Sequence, residues 1–123
     1  MALNKEYKIT LKGTPQSTSC IYKYRRIANF IAGYMSAEGK AKKEEYQWEM
    51  KFQWKKNPLL KEDFKIDLTY YFPDKRRRDI DNFNKLIFDA GSGIIWEDDK
   101  LISDANLHKR IDKENSRIEL IIF

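Results

Sequence analysis

The chain is nearly empty of the residues that build covalent or transition-metal frameworks. Of its 123 residues one is cysteine, Cys20, and one is histidine, His108. A single cysteine excludes an intramolecular disulfide and fits a reducing compartment. One Cys and one His cannot make a Cys/His zinc site within one chain, and they leave no Ser-His-Asp triad unless His108 is its base. Long apolar runs are missing as well: none approaches the ~18–20 residues of a membrane span. The start, MALNKEYKIT, has no apolar signal-peptide core. There is no internal repeat and no low-complexity tract. These absences lead to the expectation of a soluble, cytoplasmic protein with no membrane contact and no small-molecule cofactor.

What is present is charge and aromatic bulk. Hydrophobic residues make up 41% and aromatics 14%, enough for a core and too much for wholesale disorder. The length suits one domain, 1–123. Charged residues reach 35%, with 24 Lys and Arg against 19 Asp and Glu, for a net charge of +5. A basic excess of this size points toward a polyanionic partner.

The pattern alternates between sheet and helix. Residues 7–13 alternate apolar and polar, as a half-buried strand does, and Gly13 to Ser17 close it as a loop. Residues 18–35 read as a short strand or as an irregular basic, aromatic loop. Ser36 is placed to cap a helix running to about Lys55, which Asn57-Pro58 ends. Residues 64–72 are the clearest strand, with Phe64, Ile66, Leu68 and Tyr70 on one face. Ile80, Phe83, Leu86, Ile87 and Ala90 make one apolar helical stripe over 80–90. Two strands, about 101–111 and 117–123, then flank a turn at 112–116 that suits a hairpin. The expected fold is α+β (α/β): a single sheet with two main helices packed on it.

Charge is unevenly spread. Residues 74–104 hold eight acids and six bases, a local balance of −2 inside a basic chain. An acidic focus in a basic field suits a metal-dependent enzyme acting on nucleic acid. The field draws in phosphates, and the carboxylates hold a hard divalent cation. In Arg78-Asp79-Ile80-Asp81-Asn82, carboxylates at i and i+2 of an extended segment point the same way, with Ile80 toward the core. Asp98-Asp99 offers a third carboxylate after a chain reversal. Oxygen-only ligation favours Mg²⁺ or Mn²⁺. Lys85, four residues after Asp81, shares its helical face and can contact a scissile phosphate. Lys75, Arg76, Arg77 and Arg78 precede the acids, and guanidinium groups suit phosphate oxygens.

Each residue also has a plainer use. Asp79 or Asp81 can cap a helix, Lys85 can pair with Asp81 or Asp89, and Asp98-Asp99 can be turn residues. The basic run can be a solvated face. His108 reads as a surface or packing residue, Cys20 as an unreactive thiol, and Trp48, Trp54 and Trp96 as core or interface anchors. Tyr22, Tyr24 and Tyr34, among Lys23, Arg25 and Arg26, are candidates for DNA contact, though core packing is favoured.

The run Asp74 to Asn82, then Lys85, Phe88-Asp89-Ala90 and Trp96-Glu97-Asp98-Asp99, resembles the RusA family of Holliday-junction resolvases, which are phage- and prophage-associated endodeoxyribonucleases. Ser36-Ala37-Glu38-Gly39 is similar to the family's segment before its first helix, so the resemblance covers most of the chain from Ser36 onward. It implies Asp79, Asp81 and Asp99 as the Mg²⁺-binding catalytic carboxylates, with Asp98 in support. It implies Lys85 as the essential lysine and Arg78 as the arginine before the first Asp. A homodimer with a mixed sheet, binding four-way DNA junctions in a bacterial host cell, also follows from the resemblance. The chain departs from the family after its first strand. A Pro-Pro-Ser-x-Asn-like stretch appears only as Thr14-Pro15-Gln16-Ser17-Thr18-Ser19, so nothing carries over there for DNA contact or sequence preference. Two other readings stand beside this one: a non-catalytic small phage DNA-binding protein, and a broader nuclease of flaps and other branched DNA.

Overall fold

The central strand is the one the sequence marks most clearly. The computed structural model describes residues 6–17, 22–27 and 30–123; Thr18, Ser19 and Cys20 lie outside them. The strands are β1 (Tyr7–Lys12), β2 (Tyr22–Ile27), β3 (Phe30–Met35), β4 (Phe64–Phe72), β5 (Ile102–Ile111) and β6 (Arg117–Ile122). The helices are α1 (Ala37–Trp54) and α2 (Asn84–Gly91), with 3₁₀ turns at Ile80–Phe83 and Asp99–Leu101.

Four strands form a mixed sheet in the order β1-β6-β4-β5. Only the β4–β5 pair is parallel, with Leu68 opposite Leu107, while β6 lies antiparallel to both β4 and β1. Strand alternation puts Phe64, Ile66, Leu68, Tyr70 and Phe72 on one buried face, beside Ile118, Leu120 and Ile122 of β6 and Ile9 and Leu11 of β1. The helices close that face with Tyr46, Met50 and Trp54 of α1 and Leu86, Ile87 and Ala90 of α2. This is the expected α+β arrangement of one mixed sheet and two helices.

α1 begins where Ser36 Oγ accepts a hydrogen bond from Gly39 N at 3.0 Å. It ends where Lys55 turns to φ 57° and Asn57 Nδ2 donates to the Trp54 carbonyl at 2.8 Å. Its side chains also finish the sheet. Gln53 accepts from Thr10 N at 2.8 Å and donates to Thr10 O at 2.7 Å, and Glu49 accepts from Lys12 N at 3.2 Å. The free edge of β1 is thereby sealed against stray strand pairing.

Three expectations change. Within 18–35, where a short strand or an irregular loop was expected, residues 22–27 and 30–35 form an antiparallel pair, with Ile27 opposite Phe30. The second helix starts at Asn84 rather than Ile80, because residues 80–83 wind as a 3₁₀ turn. And β5 and β6 are not hairpin partners, because β4 lies between them. The crossover through α2 returns the chain to the start of β4, so β5 runs parallel to it. Residues 112–116 then pass over the end of β4, with Asp112 N donating to Phe72 O at 2.8 Å. Arg117 holds this crossing, donating to Asp112 Oδ2 and to Asn115 O, both at 2.9 Å. A turn's residues report reversal of direction and not which strand fills the gap. Among the described residues no helix is long and apolar enough to cross a membrane.

Candidate active site

Two chain segments carry the acidic residues, and both adjoin α2. The first leaves the end of β4 at Pro73. Asp74 accepts from Arg76 N at 2.9 Å and forms an ion pair with Arg78 Nη2, also 2.9 Å. These donors hold the Asp74 carboxyl below its usual range. The Arg78 guanidinium also donates to the carbonyls of Asp74 and Arg76, at 3.2 and 3.1 Å, and lies 4.4 Å above the Phe72 ring. Its side chain is only 15% exposed. Arg78 therefore clamps the loop, while Lys75, Arg76 and Arg77 are exposed to solvent. Lys109 of β5 pins the same segment by donating to the Arg78 carbonyl at 2.8 Å.

Asp79 comes next, in an extended conformation ahead of the 3₁₀ turn. Its carbonyl accepts from Asn82 N at 3.1 Å, but its side chain makes no capping hydrogen bond. Asp79 and Asp81 are both exposed, whereas Ile80 packs against the core and Phe83 is buried within it. The apolar residue between the two acids points inward as expected, although the segment coils where an extended run was anticipated. The coil is anchored by Tyr70, whose buried hydroxyl needs a partner and donates to Asn84 Oδ1. With α2 starting at Asn84, Asp81 precedes the helix and does not share a helical face with Lys85. Lys85 instead pairs with Asp89, one turn later, at 3.5 Å.

The second segment follows α2 and is built on Trp96. That ring is fully buried, stacked on Phe64 at 5.3 Å between centroids. Its Nε1 donates to Phe88 O and Ser92 Oγ at 3.3 and 3.2 Å. Leu60 grips the backbone on either side, donating to Ile95 O and accepting from Glu97 N, each at 2.9 Å. The indole fits only because residue 91 lacks a side chain: a Cβ on Gly91 would stand 2.3 Å from it. Glu97, Asp98 and Asp99 emerge directly from this anchor.

Asp98 accepts from Lys100 N at 3.0 Å, and this donor together with Asp99 holds its carboxyl low. Asp99 is pushed the other way. Partial burial, the hydrogen bond and charge of Asp98, and the charge of Asp89 all raise its pKa, and Lys85 alone opposes them. The structure thus gathers Asp98, Asp99, Asp89 and Lys85 around α2. Among the described residues no group of three or more Asp, Glu, His or Cys side chains is placed to hold a metal ion.

Asp89 was read from the sequence as an ion-pair partner for Lys85 and as one residue of the Phe88-Asp89-Ala90 motif, without a role of its own. Its place beside Asp99 depends on residues 98–99 folding back onto α2, which spacing along the chain does not reveal. His108 is half-buried on β5 opposite Thr69. Trp54 and Trp96 are core anchors, while Trp48 is 73% exposed.

The sequence profile of the family described as Endodeoxyribonuclease RusA matches residues 13–123. The chain is 33% identical over 121 residues to the crossover junction endodeoxyribonuclease RusA of Shigella sonnei (strain Ss046). It is 32% identical over 121 residues to the protein of that name from Escherichia coli (strain K12), and 33% over 117 to that of Enterobacteria phage 82. Each match covers 94% of this chain and 92% of the relative.

Proposed function

The chain belongs to the RusA family of endodeoxyribonucleases, and on that premise we propose that it resolves four-way DNA junctions by paired, symmetric nicks. We place it as a Mg²⁺-dependent homodimer in the cytoplasm of a bacterial host, encoded by a phage or prophage. The observation that carries the catalytic part is the crowding at Asp99. Desolvation first, and then the carboxylates of Asp98 and Asp89, raise its pKa against a single lysine. Such a surplus of negative charge on oxygen donors, with no soft ligand nearby, fits a hard dication.

Asp79, Asp81 and Asp99 would hold that cation, with Asp98 in support. When bound it supplies Lewis acidity and makes a water nucleophilic at neutral pH. The rest falls to the chain. Lys75, Arg76 and Arg77 draw the DNA backbone to the exposed loop. Water attacks the phosphorus in line and the 3′ oxygen leaves. Lys85, kept near Asp99 by its pairing with Asp89, stabilises the charge that builds on the phosphate. A two-fold dimer sets two such sites across a nearly symmetric junction, so the nicks come in pairs.

Asp79→Asn tests this reading. The variant should bind a four-way junction as the parent does and lose Mg²⁺-dependent cutting, and removal of Mg²⁺ by chelation should abolish cutting in the parent. Nicking that survives the substitution removes Asp79 from catalysis, and a parent that binds junctions without cutting them would be a DNA-binding protein. Equal cutting of flaps, forks and junctions would assign the broader nuclease instead.

A further inference from the structure

Beside the acidic segments lies a cavity of the opposite charge. It sits between the loop that leaves β4 and the last residues of β5, and measures about 170 Å³. Five of its eight lining residues are basic and one is acidic. Lys75 and Arg76 come from the loop, and Lys109, Arg110 and Ile111 from β5, all exposed. The acid, Asp74, is already committed to Arg78 at 2.9 Å. Arg78 is itself largely covered and lies over the Phe72 ring. Lys109 Nζ and Arg110 Nη1 donate to neutral carbonyls, Arg78 O and Lys109 O, both at 2.8 Å. Carbonyls orient these groups and leave their charge unbalanced. Elsewhere ion pairs do the balancing: Lys8 with Glu119, Lys42 with Glu45, and Arg117 with Asp112 and Glu119. A cleft lined by one sign of charge concentrates ions of the other.

Size and place say which anion. The cavity falls below the roughly 300–1,000 Å³ of pockets that take whole small molecules, so a nucleotide is too large for it and a single phosphate group is not. Guanidinium groups hold phosphate oxygens two at a time, and Ile111, 45% exposed, offers an apolar edge to the adjoining sugar. Arg78 is joined directly to Asp79, so an anion seated here lies next to the carboxylates. We propose that this cavity seats one backbone phosphate of the DNA strand, a neighbour of the phosphate that is cut, with Arg110 of β5 as the residue that grips it. The inference rests on the DNA-cleaving reading above and deepens it. The exposed loop draws DNA in, whereas a seat for one phosphate fixes where the strand lies along the acids.

Fluorescence anisotropy of the full chain on four-way junctions, in EDTA, tests it. Each junction carries one uncharged methylphosphonate in place of a phosphate, stepped along the cut strand. In the parent, one position other than the scissile one should weaken binding about tenfold, as the loss of a positioned phosphate contact does. Arg110→Gln should bind the unmodified junction about tenfold more weakly, with a salt slope shallower by about one. At the responsive position the methylphosphonate should cost Arg110→Gln nothing further, which a general loss of positive charge would not produce. Arg76→Gln, from the opposite wall, should behave alike. A parent indifferent to every non-scissile methylphosphonate, or variants that stay as sensitive as the parent to the responsive one, would overturn the proposal. Inorganic phosphate that displaces the junction far better than chloride at equal ionic strength, with no methylphosphonate position responding, would give the cavity to a free phosphate and overturn it too. A parent that shows the coupling and cuts nothing in Mg²⁺ would sink the proposed activity and leave the seat standing. One that cuts without the coupling would do the reverse.

Discussion

The two acidic segments reach α2 by different means. Residues 74–81 are held by polar contacts, an Asp74–Arg78 ion pair in which Arg78 is largely covered and Asp74 half-exposed, and one lysine from β5. Residues 96–99 are held from inside, by a buried indole locked between Phe64 and Gly91. Asp79, Asp81 and Asp99 are all exposed, and Asp99 has in addition the carboxylates of Asp98 and Asp89 beside it. One segment is held by a buried side chain and the other by polar contacts. Surface ion pairs are worth little and exchange readily, whereas a buried tryptophan is expensive to move.

The largest expected effect removes the chemistry from either segment. Asp79→Asn and Asp99→Asn should each cut the single-turnover cleavage rate by roughly 10²–10³, the scale of losing a preorganised charge-stabilising group, with junction affinity retained. If the two segments form one site, the double variant should be little worse than either single one, since groups acting as a unit are not additive. Additive losses would mean that the two segments act separately.

The second effect breaks the inner anchor. Gly91→Ala puts a methyl carbon into the Trp96 ring. The loss of stability should be roughly 2–3 kcal/mol, read in urea melts, and cleavage should fall with it. Stability unchanged within about 0.5 kcal/mol would show that the second segment is no firmer than the first.

These segments also mark how far the sequence could be read. β4 and the start of α1 were legible to the residue, because strict alternation and a serine cap are local signals. The acidic residues stood out by charge alone. The roles of Arg78, Asp89 and Trp96 did not. Arg78 reads as one of four similar bases until its guanidinium is seen folded over Phe72. Asp89 meets Asp99 only through the return of the chain after α2. The place of β5 was hidden for the same reason, since a parallel neighbour is set by the crossover and not by the strand's own residues.

A smaller effect loosens the outer clamp. Arg78→Ala frees the loop before Asp79 without touching an acid of the site. Cleavage should fall by about tenfold, through misplacement rather than lost chemistry. Raising Mg²⁺ should recover part of the loss, whereas it should recover nothing in Asp79→Asn. Urea melts should hardly move, in contrast with Gly91→Ala.

The smallest effect lies in the pH dependence of that clamp. The Asp74 carboxyl is held below its usual range, first by the Arg76 N–H and then by the Arg78 guanidinium. A carboxyl whose folded pKa is depressed binds its proton less readily than the unfolded chain does. Its contribution to stability is therefore complete above the ordinary carboxylate range, about pH 3.9, and is lost as pH falls through the lower folded value. Thermal melts of the parent and Asp74→Asn should differ by a constant small amount from neutral pH down to about pH 5. The two curves should then converge toward acid. Because Asp74 is half-exposed, added salt should shrink the gap at neutral pH as well. A gap that persists at low pH and at high salt would mean that Asp74 acts through neutral hydrogen bonds of its side chain. The outer segment would then be as firmly built as the inner one, and the contrast between them would fail.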